Sequence, residues 1–405
     1  MMKTPSLAVG LLAVATAVSA QQLRFDDVIR NLRNPDPKAR MNAVQLLRDA
    51  KYPEAIAPMA PLVLDPFDEI QLETIAAELG FFLDQDVKAK KMIGFVVEKR
   101  KSAIAAAAFD LGPLAVWPRT VPAELVTALL QAVDDESAKV RLEAIYATGV
   151  IAQAPLAPDQ VQRLVKLLDH YDPAVRAAAA RVIGRVKVPD AADALIKAMN
   201  DSQAGVRYAS MRALGALREV RAVQALTEQF AFYKKGEGAW SALDALAQIG
   251  APASVALFKE RLQDKDPFIR RAAVEGLGRA ADVASIETLE PIVGTDESAM
   301  VRLATAFALQ RLGRNTYAAR IVDLMNSSKV VAQGQAYLVE LGPPMLPIVT
   351  PRLQDPDPDL RAALADVLGV IGDQSSLPAL ETVAKDADPS VAAAAKRALA
   401  RLRAS

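Results

Sequence analysis

Few side chains in this sequence of 405 residues could perform covalent chemistry. It has no cysteine and one histidine, His170, so cysteine nucleophiles and cysteine-rich zinc sites are excluded. A serine triad would have to use His170, but the sequence contains no G-x-S-x-G segment. The GEG at 236–238 lacks the spacing and the Lys-Ser or Lys-Thr of a phosphate-binding loop. We therefore predict that the protein is not an enzyme and that it carries no metal and no cofactor.

The charge balance argues against nucleic acid as a partner. The chain has 48 basic and 48 acidic side chains, whereas proteins that follow a phosphate backbone have a strongly basic face. One basic segment, residues 86–101, follows an acidic one at 65–86. We interpret this pair as a solvated surface whose charges balance, because opposite blocks in sequence neutralise each other.

An arginine and a glycine recur eight residues apart along most of the chain. Aligned on the end of each copy, the sequence gives twelve copies that are 27 to 37 residues apart. The aligned position is arginine in seven copies, namely Arg40, Arg141, Arg176, Arg207, Arg270, Arg302 and Arg361. The closing position is glycine in nine copies. A repeat of this period predicts one stacked array and not two or three globular domains.

The copy DPAVRAAAARVIG at 172–184 shows why each unit should contain a helix. Asp172 suits the N-cap, and a proline at the first helical position loses no hydrogen bond. The apolar residues that follow fall on one face at helical spacing. The closing glycine, Gly184, suits a left-handed C-cap. A looser and shorter first helix precedes each of these second helices, and such a pair must stack on its neighbours to bury its apolar face.

The pattern D-x-x-V-R-x-x-A-x-x-x-L-G resembles HEAT repeats, and in particular the short bacterial type named after phycobilisome lyases. The resemblance implies an all-α fold, an α-α superhelix of the HEAT or armadillo type with about twelve helix pairs over residues 21–405. We expect this superhelix to be elongated. The resemblance also implies a ladder of bonds between the recurring arginines and the aspartates of successive repeats, and it places the second helices on the concave side.

The first twenty residues have the layout of a secretory signal peptide. Lys3 precedes an apolar stretch from Leu7 to Val18, and the small residues Val18 and Ala20 suit cleavage before Gln21. The stretch is shorter than the ~20 residues of a membrane span. We predict an exported protein, periplasmic or secreted, that is monomeric and has no stable membrane insertion after cleavage.

Side chains opposite the packing face of the second helices are candidates for binding a partner. They mix aromatic residues with arginine, as protein-binding surfaces do. The predicted partner-binding residues are Phe109, Tyr146, Arg181, Tyr208, Arg212 and Arg271. An alternative is that curvature of the array buries this face in part.

The segment FAFYKKGEGAW at 230–240 is a second candidate binding loop. Its candidate residues are Phe230, Phe232, Tyr233, Lys234, Lys235 and Trp240. The alternative is a divergent repeat in which large side chains occupy the space left by the missing arginine, because Ala242 stands at the aligned position.

Two functions remain open from the sequence. The first is a non-catalytic exported scaffold that binds a partner protein or peptide segment along its concave face. The second is a lyase-like enzyme, or an accessory or chaperone for a protein that bears a tetrapyrrole or is a cytochrome.

Overall fold

The computed structural model describes residues 25–83, 104–152 and 155–404. The predicted signal peptide, 1–20, and the basic segment, 86–101, lie outside the described residues. Within them, extended pairing is confined to one bridge between Leu83 and Val116. No described helix is long and apolar enough to cross a membrane.

Helices make up most of the described chain. In chain order they are α1 (Phe25–Asn31), α2 (Pro37–Ala50), α3 (Ile56–Met59), α4 (Asp68–Phe82), α5 (Ile104–Asp110), α6 (Ala123–Ala132), α7 (Ala138–Ile151), α8 (Pro158–Lys166), α9 (Pro173–Val186), α10 (Ala192–Ala198), α11 (Ala204–Ala216), α12 (Val223–Tyr233), α13 (Gly236–Ile249), α14 (Val255–Arg261), α15 (Pro267–Arg279), α16 (Ile286–Leu289), α17 (Ile292–Thr295), α18 (Ala299–Arg311), α19 (Tyr317–Leu324), α20 (Ser328–Leu341), α21 (Leu346–Val349), α22 (Pro358–Ile371), α23 (Leu377–Val383) and α24 (Pro389–Ala404). Short 3-10 turns at the edges of the first helices include Pro189–Ala191, Val220–Ala222 and Pro252–Ser254.

Twelve of the described helices carry the aligned position of the repeat. These second helices are α2, α4, α5, α7, α9, α11, α13, α15, α18, α20, α22 and α24. Each packs on the next one along the chain, and shorter helices lie between them wherever the connection is described, which excludes the one from α4 to α5. The predicted fold class, an all-α superhelix of stacked helix pairs, is confirmed.

Aspartate caps begin the second helices as the sequence predicts. The carboxylate of Asp172 accepts a hydrogen bond from the amide of Ala174, two residues into α9, and Pro173 occupies the first helical position. The same arrangement begins the helices that follow Asp36, Asp266 and Asp357. The cap satisfies one of the amides that have no partner within the helix, which fixes where each helix begins.

The recurring glycine does not end most of these helices, so its predicted role as a C-cap is wrong there. Gly184, Gly215, Gly278 and Gly369 lie inside α9, α11, α15 and α22. A Cβ atom at these four positions would lie 2.6 to 2.9 Å from the Cα of an alanine in the next second helix. Glycine is needed because the two helix backbones touch at this point. Only a few copies keep the predicted cap, as at Gly250, which ends α13 with a φ of +65°.

Four of the seven recurring arginines form the ladder that the resemblance implies, whereas Arg141 and Arg207 bind a tyrosine hydroxyl instead of an aspartate. Arg176 binds Asp201 of the next repeat through two parallel bonds, Nε to Oδ2 at 2.7 Å and Nη2 to Oδ1 at 2.9 Å. Its Nη1 also donates to the carbonyl of His170 at 2.7 Å. Equivalent two-bond pairs are Arg40 with Asp65, Arg270 with Asp296 and Arg361 with Asp386. The bonds from Arg176 lower the pKa of Asp201, which keeps this carboxylate ionised.

The array bends back on itself and is not elongated as expected. Nη2 of Arg401 in α24 donates to the carbonyls of Leu114 at 2.6 Å and Val116 at 2.8 Å, between α5 and α6. Arg218, after α11, binds Glu340 of α20 at 3.1 Å. Such contacts between distant repeats place the second helices on the inner side. The array curves because the second helices touch one another at their glycine–alanine contacts, whereas the first helices approach one another much less closely.

A substitution in the glycine column should test this account of the packing. We expect Gly278→Ala to destabilise the protein by about 1–3 kcal/mol, because the new methyl group would lie 2.7 Å from the Cα of Ala308. Gly205→Ala is the matched control, since no atom lies within 4 Å of a Cβ at this position in α11. The control should be neutral or stabilising by up to about 1 kcal/mol. Urea denaturation followed by circular dichroism measures both, and equal effects would contradict the proposed packing.

Candidate functional site

A cluster of aromatic and arginine side chains lies on the inner side of α5, α7 and α9. The guanidinium of Arg181 lies 5.0 Å from the ring centre of Phe109 and 5.3 Å from that of Tyr146. Its Nη1 donates to the hydroxyl of Tyr146 at 3.1 Å, and its Nη2 pairs with Asp110. Three of the predicted site residues are therefore in direct contact.

Phe109 is the buried side chain on which Tyr146 and Arg181 pack. It is only 4% exposed, and its ring occupies the place that a side chain at Gly149 would fill, with Cε2 2.7 Å from the position of a Cβ there. Arg181 keeps 35% of its side chain exposed above it. A partner could reach Tyr146 and Arg181, whereas Phe109 sets their position.

Arg185 belongs to the same cluster but was not among the predicted residues. Its guanidinium lies 4.1 Å from the ring centre of Phe109, and its Nη2 donates to the Phe109 carbonyl at 3.0 Å. Burial and the neighbouring charge of Arg181 lower the pKa of Arg185. A second column in the sequence could have revealed it, because arginine also recurs one residue after the glycine position, at Arg185, Arg279, Arg311 and Arg401.

Two more of the predicted residues, Tyr208 and Arg212, contact the following repeat; with Tyr146 and Arg181 they form the predicted strip. The ring of Tyr208 meets that of Tyr233 edge to face, with 5.4 Å between centres. Burial, followed by the proximity of Tyr233, raises the pKa of Tyr208. Arg212 Nη2 binds Glu237 Oε1 at 2.8 Å, and its side chain is 49% exposed. Arg212 is therefore accessible, and Tyr208 joins the predicted strip to the segment 230–240.

Arg271, the sixth predicted residue, is enclosed in a network of charges. Its Nη1 binds Glu275 at 2.6 Å, and its Nη2 binds Asp244 of the preceding second helix. Arg279 binds the other oxygen of Glu275 at 2.8 Å, and the Tyr337 hydroxyl donates to the first. Burial raises the pKa of Asp244. Burial also acts to raise the pKa of Glu275, but the positive charges of Arg271 and Arg279 outweigh it, so the pKa of Glu275 is below its usual value. Both ion pairs of Arg271 are therefore with carboxylates of this protein, unlike what a residue available to a partner would show.

Glu340 of α20 links this network to arginines of other repeats on the inner side of the array. It accepts bonds from Arg279 at 3.0 Å, from Arg311 at 3.3 Å and from Arg218 at 3.1 Å. Arg279 and Arg311 belong to α15 and α18, and Arg218 follows α11, so a single carboxylate joins distant turns of the array. Arg279 and Glu340 are largely buried, whereas Arg181 and Arg212 keep a larger exposed fraction, so the inner surface is more open at the latter two residues.

Two side chains of the segment 230–240 form bonds in place of the usual arginine–aspartate pairs. The Tyr233 hydroxyl accepts a bond from Nε of Arg207, as an aspartate does elsewhere. Trp240 Nε1 donates to Asp266 Oδ2 at 2.6 Å in the repeat that lacks the arginine. These contacts fit the interpretation that large side chains occupy the place of the missing arginine. Phe230 is buried against Arg261.

Three residues of the same segment face solvent. Phe232 is 74% exposed, and Lys234 and Lys235 are exposed beside it. They could contact a partner without disturbing the ladder, unlike Tyr233 and Trp240. Among the described residues, no group of three or more histidine or carboxylate side chains could hold a metal ion.

The repeat is matched by a family model described as HEAT repeats. The match covers residues 161–231, 236–310 and 346–405, which together make up just over half of the chain. The protein therefore belongs to the HEAT-repeat family. Among curated proteins, none matches this sequence.

Solved structures with a similar fold include three different kinds of protein. An engineered protein has 19% identity, a TM-score of 0.42, and coverage of 94% of this chain and 98% of its own. The complex of CpcE and CpcF of phycocyanin lyase from Nostoc sp. PCC7120 has 21% identity, a TM-score of 0.36, and coverage of 61% and 96%. Importin beta has 16% identity, a TM-score of 0.36, and coverage of 94% and 57%. These likenesses concern the fold alone.

Two of the predicted site residues should respond differently to truncation. We expect Arg271→Ala to destabilise the protein by about 2–4 kcal/mol, because it leaves Asp244 without its ion-pair partner and removes one of the two arginines that bind Glu275. Arg212→Ala removes an exposed pair and should change stability by less than about 1 kcal/mol. Chemical denaturation of both variants measures the difference. A stable Arg271→Ala protein would show that this network is dispensable for the fold.

Proposed function

We propose that this protein is a non-catalytic scaffold that binds an extended segment of a partner protein on the open part of its inner surface. The open strip is defined by Tyr146, Arg181, Tyr208 and Arg212. The observation that carries the proposal is the contrast in exposure along one surface. Arg181 and Arg212 are 35% and 49% exposed, whereas Arg271 is 16% exposed within its network.

The chemistry of the open strip favours a partner with acidic and apolar side chains. Tyrosine and arginine are the residue types that contribute most to protein interfaces when a partner removes them from water. Arg181 and Arg212 each have one carboxylate partner, Asp110 and Glu237, and both carboxylates are more than half exposed. A carboxylate of the bound segment could compete for either arginine, because exposed pairs contribute little to stability.

The geometry of the repeat sets the length of the bound segment. The strip spans the three consecutive second helices α7, α9 and α11. Packed helices lie roughly 10 Å apart, so the strip is about 20 Å long. An extended chain rises about 3.3 Å per residue, which gives room for about six residues.

Partner capture tests the strip with a matched control. A photo-crosslinking residue at position 237, beside Arg212, should first identify the partner and its bound segment. The double variant Arg181→Ala/Arg212→Ala should then weaken binding of the purified partner at least tenfold. The control Lys197→Ala/Arg221→Ala removes two cations from exposed ion pairs on the first-helix side, with Asp169 and Asp193, and should bind normally.

Two outcomes would count against the proposed function. If both double variants bind the partner as tightly as the wild-type protein, the site lies elsewhere, and Phe232 with its two lysines is the next surface to mutate. If the purified protein instead carries a tetrapyrrole, or alters one in a partner, the alternative of a lyase-like enzyme or accessory protein gains support. Circular dichroism melts ensure that each variant is folded.

We also propose that the protein acts outside the cytoplasm, as a monomer. The support is the sequence of residues 1–20, whose charged start, apolar stretch and small residues before Gln21 suit a signal peptidase. Mass spectrometry of the native protein should find Gln21 as the first residue, in cyclised or free form. Cytoplasmic material that retains Lys3 would contradict export, and light scattering at the dimer mass would contradict the monomer.

A further inference from the structure

A cavity of about 390 Å³ lies beside the open strip, where α24 meets the middle of the array. It is bounded by the ends of α4, α7 and α9, by residues 113–118 and by one side of α24. Its volume is in the range of pockets that bind small molecules, about 300–1,000 Å³. The cavity exists because the array bends back, which brings Arg401 against Leu114 and Val116.

Most of the wall is apolar. Phe82, Trp117, Ile151 and Val186 line it, together with small residues such as Ala152. An apolar wall of this kind favours the burial of a hydrocarbon group, which gains about 25 cal/mol for each square ångström removed from water.

The charged side chains at the cavity all have the same sign. Of the described residues that line it, Arg185, Lys187 and Arg401 are cationic and none is acidic. Arg401 is already engaged, since it donates to two backbone carbonyls and lies 3.5 Å from Asp366. The capacity to bind an anion therefore lies with Arg185 and Lys187.

Arg185 is the cation with the most unused hydrogen-bonding capacity. A guanidinium has five N–H donors, and Arg185 uses one of them, from Nη2 to the carbonyl of Phe109. Within the described chain, no carboxylate lies within ion-pair distance of it. Arg181, its neighbour one turn earlier, is paired with Asp110. A partly buried arginine that forms no ion pair of its own, at the edge of an apolar cavity, is suited to a ligand that supplies a carboxylate.

We propose that this cavity binds a small apolar carboxylic acid, with its carboxylate on Arg185 and its hydrocarbon group between Trp117, Ile151 and Val186. The carboxylate would accept hydrogen bonds from the free N–H groups of the guanidinium, and Lys187 would add charge at the entrance. This site goes beyond the proposed binding of a partner protein and does not depend on it. It is a second ligand site at the side of the open strip.

Calorimetric titration with decanoate tests the site, since this acid combines a single carboxylate with an apolar chain. We expect a Kd of about 10–100 μM. Decan-1-ol, which lacks the charge, and acetate, which lacks the chain, should each bind at least tenfold more weakly. A peptide that ends in a free leucine carboxylate serves as a third comparison.

Two variants connect the binding to this cavity. Arg185→Gln should raise the Kd for decanoate at least tenfold and leave weak binding of decan-1-ol unchanged. Ala152→Phe should abolish the binding of both, because the ring fills the cavity. Arg221→Gln, which removes a cation far from the cavity, is the control and should bind decanoate like the wild type. Quenching of Trp117 fluorescence by a bromine-labelled decanoate, lost in Trp117→Phe, reports contact independently of the heat signal.

Several results would overturn the proposal. The site is not a carboxylate site if decanoate and decan-1-ol bind equally, or if Arg185→Gln binds decanoate normally. It is not this cavity if folded Ala152→Phe protein retains the affinity. A leucine-terminated peptide that binds more tightly than decanoate would show that the cavity takes a chain terminus instead of a small acid. Absence of heat and of quenching at 1 mM decanoate would exclude the site.

Discussion

Backbone contact between consecutive second helices is the constraint on which the rest of this structure depends. A glycine in one helix faces an alanine in the next, so the inner helices lie closer together than the outer ones. The ladder of arginine and aspartate then fixes the rotation of each repeat on its neighbour, through two parallel bonds in several repeats. Close spacing on one side alone bends the stack, and the bend decides which inner side chains meet.

The bend divides the inner surface into two parts with different physical properties. Around Glu340, arginines from three repeats converge on one carboxylate, and the pair of Arg279 with Glu340 at its centre is largely buried. Around Arg181 and Arg212 the pairs are exposed and can be exchanged. The same residue types thus stabilise the superhelix in one part and remain accessible in the other, and burial makes the difference.

The local features of this fold could be predicted from the sequence, whereas features that depend on the whole array could not. Asp172 and Pro173 predict the start of α9, and the resemblance to HEAT repeats implies the ladder, because each depends on contacts within one or two repeats. The role of Gly278 was mistaken because a glycine near a helix end suits a cap as well as a close contact. The network that encloses Arg271 joins Asp244 of the preceding second helix to Tyr337, two second helices further on, so no single repeat encodes it. The contact of Tyr208 with Tyr233 was also not predicted, since it depends on how Tyr233 fills a divergent repeat.

The bonds from Arg401 to Leu114 and Val116 also bear on how such an array can change in length. In an open stack, duplication or loss of a helix pair only lengthens or shortens the protein, because each unit contacts its neighbours alone. Here one additional pair between α6 and α24 would displace α24 by about 10 Å, which is more than an arginine side chain can compensate. The contact of Arg401 with Leu114 and Val116 therefore fixes the number of helix pairs between α6 and α24. A chain that gained or lost one of them would have to give up both the contact and the cavity beside it.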